Sequence, residues 1–320
     1  MRASRTASLL RRRVDGVLLL DKPVGLSSNA ALQQAKRRFR AEKAGHTGTL
    51  DPFATGLLPI TLGEASKFSR FLLDAIKGYT AELKLGVTTT TGDPEGKVVE
   101  TSPVSVSPLQ IEEVLSRFMG THDQIPPMYS ALKRDGVPLY KLARRGIEVE
   151  RAARRVTIDE LALRTWDGRD RLVIDVTCTK GTYIRVLAED IGRALGCGAH
   201  LTALRRTRVG GFTVGRAWMP EALESLDQGG RDALLLPPEM LASDLPAVTV
   251  EEASTQALGH GRRLPWARTL SLGEHRVYSP AGVFMGICCL VEQTGETWLV
   301  PVRLMSVSAH AGPARLYEST

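Results

Sequence analysis

Gly45-His46-Thr47-Gly48-Thr49-Leu50-Asp51-Pro52 places two turn-permissive glycines, a histidine, two hydroxyl side chains and one carboxylate in eight positions closed by a proline. Such a stretch does not continue a helix or a regular strand, because glycine loosens the backbone and Pro52 has no amide to donate. A basic, helix-like segment from Ala30 to Lys43 precedes it, and the apolar run Gly56 to Leu62 follows. A polar loop pinned between two structured elements is a usual carrier of catalytic groups. Asp51 is the only acid in that loop, so any carboxylate chemistry there falls to it.

Outward from the loop, the chain reads as strands and helices interspersed without a regular βαβ period, which predicts an α+β fold. Expected strands are Gly16 to Leu20, Tyr79 to Leu85, and an antiparallel pair from Val156 to Leu163 and Arg171 to Thr177. Expected helices are Ser28 to Arg40, Ser107 to Met119 with Pro108 in the first turn, and Tyr183 to Leu195 stopped by Gly196. Thr88 to Gly96 reads as a loop, and Asp227 to Leu245 as a connection. Residues 14–246 are expected to form one large domain. Residues 247–320 are expected to form a small, mostly β domain, and residues 1–13 a disordered basic tail.

At 320 residues, with 43% hydrophobic and 24% charged side chains, the chain has an ordinary globular composition. No apolar run approaches the roughly 20 residues of a membrane-spanning helix. The net charge of +7 favours an anionic partner. Three basic groups sharpen that bias: Lys36, Arg37, Arg38, Arg40 and Lys43; Arg144, Arg145, Arg151, Arg154 and Arg155; and Arg205, Arg206 and Arg208. Read as phosphate contacts, they predict RNA binding that weakens with salt. Cys178, Cys197, Cys288 and Cys289 read as free thiols of a reducing compartment. Cys197 and His200 lack a second ligand pair at zinc spacing, so no metal is expected.

Six motifs in order carry a resemblance to a known family. They are Val14 to Gly25 (VDGVLLLDKPVG), Gly45 to Pro59 (GHTGTLDPFATGLLP), Lys77-Gly78-Tyr79, Ile125 to Lys133 (IPPMYSALK), Lys180 to Arg185 (KGTYIR), and Gly196 to Leu201 with Leu204-Arg205-Arg206. Together they resemble the TruB family of bacterial tRNA pseudouridine-55 synthases, strongly over residues 14–215 and weakly beyond. The resemblance implies a pseudouridine-synthase catalytic domain with a mixed, largely antiparallel sheet, followed by a PUA-like RNA-binding domain. It implies that Asp51 acts as nucleophile or starts glycal formation, that Arg185 pairs with it, and that Tyr79 stacks on the target base and assists proton transfer. Tyr183 and Leu204 correspond to residues lining the uracil pocket, His46 to one supporting the unstacked RNA loop, and Lys22 with Pro23 to the pocket floor. One departure stands out. Many relatives carry a Thr-acid-Thr pattern where this chain reads Thr88-Thr89-Thr90-Thr91; either Asp93 substitutes for that acid or its role is dispensable.

The chemistry is consistent with one carboxylate. Sugar hydrolases usually add a second acid to protonate the leaving oxygen, whereas a departing uracil ring carries negative charge on its own oxygens. With the resemblance, the expectation is a cofactor-free, metal-free monomer in the cytoplasm. It would flip U55 out of the TΨC loop of tRNA, break the N1–C1′ bond, rotate the base and join C5 to C1′. Three competing readings are a guide-RNA synthase of the Cbf5/dyskerin type, a non-catalytic RNA-folding protein, and a glycosidase on free nucleosides.

Overall fold

The strands Gly16–Lys22 and Thr55–Leu62 pair antiparallel, with Gly16 opposite Leu62 and Lys22 opposite Gly56. Nearly every residue of both is buried, so each reads as a continuous apolar run rather than an alternating one, as in sheets covered on both faces. In this computed structural model, residues 11–267 and 270–306 are described. The pair begins a mixed sheet that continues through Ala199–Val209, Lys77–Leu85, Arg171–Cys178 and Arg154–Trp166 to Gly120–Gln124. Neighbours are antiparallel except at Arg205 and Arg206, which run parallel to Thr55 and Gly56. Short strands Ala44–His46 and Phe212–Thr213 attach at its margins.

Three helices cover this sheet. Ser28–Arg38 is capped by the Ser27 hydroxyl and buries Ala31, Leu32 and Ala35 against Leu18, Leu58 and Ile60. Pro108–Arg117 opens with a reciprocal Ser107–Gln110 capping box, in which both side chains satisfy otherwise unpaired amides. Ile184–Ala194 buries Ile184, Leu187, Ala188 and Ile191, the spacing of one helical face. Among the described residues, no helix is long and apolar enough to cross a membrane.

The chain from Ala247 builds a second sheet, in the order Ala247–Thr249, Gly273–Tyr278, Phe284–Gln293, Glu296–Leu304 and Leu264–Pro265, with the helix Glu252–Gly259 beside it. This sheet shares a core with the first. Phe68 meets Phe284 edge-on at 5.3 Å between ring centres, and Leu241, Ile287 and Val302 join them. A polar tie lies beside that core. The Glu64 carboxylate accepts from the amide and hydroxyl of Ser306, both at 2.7 Å, and from Lys67 Nζ at 2.6 Å. Lys67 also donates to the Leu304 carbonyl.

The expected elements are present, with three differences. The first helix stops at Arg38, and Arg40 takes a left-handed φ of 54° where the chain turns toward the loop. Residues 227–245 are more than a connection: they hold the helix Gln228–Ala233, and Leu236 pairs with Val17. The expected Thr88–Gly96 loop begins inside a strand pair, Val87–Thr89 with Val98–Thr101. The expected disordered tail lies outside the described residues up to residue 10. Arg12 is tied down, with Nε donating to the Phe39 carbonyl and its guanidinium paired to Asp232.

Glu64 gives a test of the polar tie. Burial alone would raise its pKa, but Lys67 and both Ser306 donors outweigh that and hold it at about 2, below the ordinary 4.5. A depressed folded pKa adds stability that is present above the unfolded value and lost as pH falls through the folded one. Glu64→Gln is therefore expected to cost up to about 3 kcal/mol at neutral pH. It should also flatten the loss of Tm between pH 5 and pH 2, measured by calorimetry on both proteins.

Candidate active site

The loop is shaped from below before any chemistry is considered. Ser28, at the start of the first helix, accepts from the Leu50 amide at 2.7 Å and donates to the Leu50 carbonyl at 2.9 Å. Lys22 is fully buried and its Nζ donates to the carbonyls of Pro23, Leu26 and Pro52. Gly25 N donates to the Pro52 carbonyl. Gly56 has φ 102°, and a Cβ there would lie 2.3 Å from the Arg206 carbonyl, so only glycine admits this strand contact. Ala44–His46 is a short strand paired with Ala44 opposite Leu62, so the turn proper begins at Thr47 rather than Gly45.

Asp51 emerges from this support into a cavity of about 330 Å³. Among the described residues it is the only carboxylate on a wall that also includes Tyr79, Tyr183, Arg185, Leu204 and Arg206. Arg185 Nε stands 3.1 Å from Asp51 Oδ2. The Arg185 side chain is 5% exposed, against 37% for Asp51. Its remaining donors reach the Thr91 carbonyl at 3.1 Å, the Tyr129 carbonyl at 2.6 Å and Asp93 Oδ2 at 3.3 Å. Enclosure in the cavity is the largest influence on the Asp51 carboxyl and raises its pKa above 3.8. Arg185 opposes that, Asp93 adds to it, and Lys22 opposes it further.

The expected site residues divide into two sets. Asp51, Arg185, Tyr79, Tyr183 and Leu204 converge on the cavity. Tyr183 is held through its backbone, accepting from Gln124 Nε2 and donating to Gln124 Oε1. Lys22, expected at the pocket floor and as a substrate-binding residue, lies fully buried beneath the loop and off the cavity wall. Its burial lowers its pKa to about 8, an effect Asp51 opposes and Arg206 reinforces. His46 also stands outside the wall, with Nδ1 buried and its pKa lowered by burial and then by Arg206. Asp93, the candidate substitute, meets Arg185 with its carboxylate and caps the turn at the Glu95 amide.

The basic groups divide as well. Arg205 and Arg206 point to opposite faces of one strand. Arg205 forms a bidentate pair with Asp21 at 2.6 and 3.0 Å, and Arg206 is 1% exposed, so neither is a free phosphate contact. Arg144, Arg145, Arg154 and Arg155 are exposed, and Arg154 lies close enough to Tyr183 to act on its charge.

Three family models match end to end. Residues 36–184 match the TruB family pseudouridylate synthase N-terminal domain, residues 185–242 the tRNA pseudouridylate synthase B C-terminal domain, and residues 246–305 the pseudouridine synthase II TruB C-terminal region. The chain is 53% identical to the tRNA pseudouridine synthase B of Aromatoleum aromaticum, over 97% of this chain and 99% of that one. It is 52% identical to the enzyme of that name in Chromobacterium violaceum, over 94% of this chain and 98% of the other. Among solved structures, a Cbf5–Nop10–Gar1 complex matches with a TM-score of 0.69 at 25% identity, covering 93% of this chain and 87% of that one.

The surroundings of Asp51 predict how its carboxyl titrates. Asp93→Asn removes a neighbouring negative charge and is expected to move the Asp51 pKa down. Arg185→Gln removes the opposing positive charge and is expected to move it up. Carboxyl-carbon NMR titration of the two variants checks both signs.

Proposed function

The chain belongs to the TruB family of pseudouridylate synthases and converts uridine 55 in the TΨC loop of tRNA to pseudouridine, and on that premise we propose how its residues divide the reaction. The observation that carries the proposal is the single carboxylate of the cavity, held by a buried guanidinium. A base stacked inside a folded loop is out of reach, so the nucleotide is extruded into the cavity. Tyr79 and Leu204 receive the uracil ring, Tyr183 bounds it, and His46 supports the loop from which it has left.

Asp51 then acts on the sugar, either adding to C1′ or starting glycal formation. Both routes need the carboxylate ionised, and Arg185 keeps it so against the enclosing wall while fixing its direction. The N1–C1′ bond breaks, with its electron pair leaving on the uracil ring. The base turns, C5 bonds to C1′, and Tyr79 assists removal of the C5 proton. None of these steps calls on a cofactor or a metal.

The exposed Arg144, Arg145, Arg154 and Arg155 and the C-terminal sheet hold the tRNA backbone. The proposal includes a monomer in the cytoplasm, acting on bare tRNA without a guide RNA. Relatives that cover the whole chain at about half identity are named for tRNA, while the Cbf5 likeness lies at 25% identity.

Purified protein and an unmodified tRNA transcript, with no guide or metal added, are expected to give one new pseudouridine at position 55 by adduct-dependent reverse-transcription stops. Asp51→Asn should bind the transcript within a few-fold of wild type and leave no product above background. Product from that variant would overturn the role of Asp51. Replacing Arg154 and Arg155 with alanine should weaken tRNA binding. It should also reduce the salt dependence by about one in log–log slope for each phosphate no longer neutralised.

A further inference from the structure

Arg206 is the largest fully buried side chain among the described residues. A buried guanidinium is normally matched by a carboxylate, because an uncompensated charge in a protein interior costs several kcal/mol. Arg185, on the same cavity wall, follows that rule twice over with Asp51 and Asp93. Arg206 does not: no carboxylate among the described residues pairs with it. Its Nε donates to the Leu57 carbonyl at 2.7 Å and its Nη2 to the Gly48 carbonyl at 3.2 Å. Both anchors are neutral.

The remaining neighbour is Tyr79. The two residues are directly opposite in the antiparallel pairing of Lys77–Leu85 with Ala199–Val209, so their side chains share one face of the sheet. Both line the cavity, where the positive charge of the guanidinium acts on the phenol. The phenol is therefore the one acidic group placed to answer that charge.

We propose that Arg206 is the positioning residue for Tyr79, fixing the phenol over the cavity and supplying the positive charge that balances a phenolate while the C5 proton is removed. In that step the C5–H bond breaks and the proton passes to Tyr79 Oη. The electron pair re-forms C5=C6, N1 takes up a proton, and the proton lost earlier by the phenol goes to water. Enclosure raises the Tyr79 pKa, and Arg206 is the largest influence acting against that rise. Through Gly48, three residues before Asp51, the same guanidinium also fixes the register between the phenol and the carboxylate. The inference rests on the role of Tyr79 given above.

The experiment uses full-length protein and tRNA transcribed with uridine or 5-deuterouridine. Single-turnover rates are measured across pH for wild type, Arg206→Gln, Arg206→Lys and Tyr79→Phe, with melting curves and tRNA affinity as controls. Without the positive charge the phenol is harder to ionise, so Arg206→Gln is expected to lose about tenfold in rate for each unit by which the Tyr79 pKa rises. Its deficit should shrink as pH increases, and 5-deuteration should slow it more than wild type. Should Arg206→Gln fail to fold, Arg206→Lys keeps the charge without the fork. It is then expected to keep the wild-type pH profile with a reduced rate and an increased isotope effect. A loss by the same factor at every pH, with no gain in isotope effect in either variant, overturns the inference. Tyr79→Phe at the wild-type rate would instead sink the role of Tyr79 itself. A slow Tyr79→Phe beside Arg206 variants that match wild type would sink the Arg206 proposal alone.

Discussion

The burial of the Arg185 guanidinium constrains the rest of the site. A charge that is 5% exposed must be answered on every side, and its answers come from four separate stretches: Asp51 in the loop, Thr91 and Asp93 in a turn, Tyr129, and the helix that carries the arginine. The loop and the helix also share an apolar core through Leu50, Phe53, Ile184 and Leu187. Ser28 gripping Leu50 and Lys22 gripping Pro52 hold one stretch in reach, and Gln124 gripping the backbone of Tyr183 holds another. The enclosure that orders the guanidinium also makes the Asp51 carboxylate harder to ionise, and Arg185 counters only part of that effect.

The sheet sorts the remaining positive charges by period two. In Ala199–Val209, Leu204 and Arg206 face the cavity while Arg205 faces Asp21. Three arginines in four positions therefore do different things. One completes an ion pair, one is enclosed beside a tyrosine, and Arg208 stays partly exposed. Lys22, His46 and Lys77 each have their pKa lowered chiefly by burial, with a further contribution from Arg206, so several cations share this small volume. Lys22, beneath the loop, and Lys77, on the cavity wall, both place their ammonium groups among backbone carbonyls.

Much of this was legible in the sequence. The glycine-rich loop ending in Asp51-Pro52 could be recognised as a carrier of chemistry from its composition alone. Tyr79, Tyr183, Arg185 and Leu204 were recognisable only through motif position, since a tyrosine or leucine beside an apolar run looks like core. Asp93 could be singled out as a candidate because no other acid stands between Thr88 and Pro94, and it pairs with Arg185. What stayed hidden depends on partners distant in sequence. The strand Ala199–Val209 lies mid-sheet, and its arginines look like a surface patch until Asp21 and Tyr79 are set beside them. The three carbonyls around Lys22, from Pro23, Leu26 and Pro52, are not visible in its motif. The Glu64–Ser306 tie joins residues 242 positions apart, and no local pattern announces it.

That tie, with the Phe68–Phe284 contact beside it, leaves the C-terminal sheet no free hinge about the catalytic one. Two RNA-gripping surfaces joined by a flexible tether would lose ordering entropy each time both engaged, and would accept substrates of many lengths. Fixed surfaces behave as a gauge instead. On the proposed reading, RNA seated on one would present its loop to the other at a set separation and angle, so a folded arm of the right span would engage both at little further entropic cost, while a longer, shorter or bent one would engage only one. Discrimination among RNAs could thus rest on molecular shape as much as on base identity.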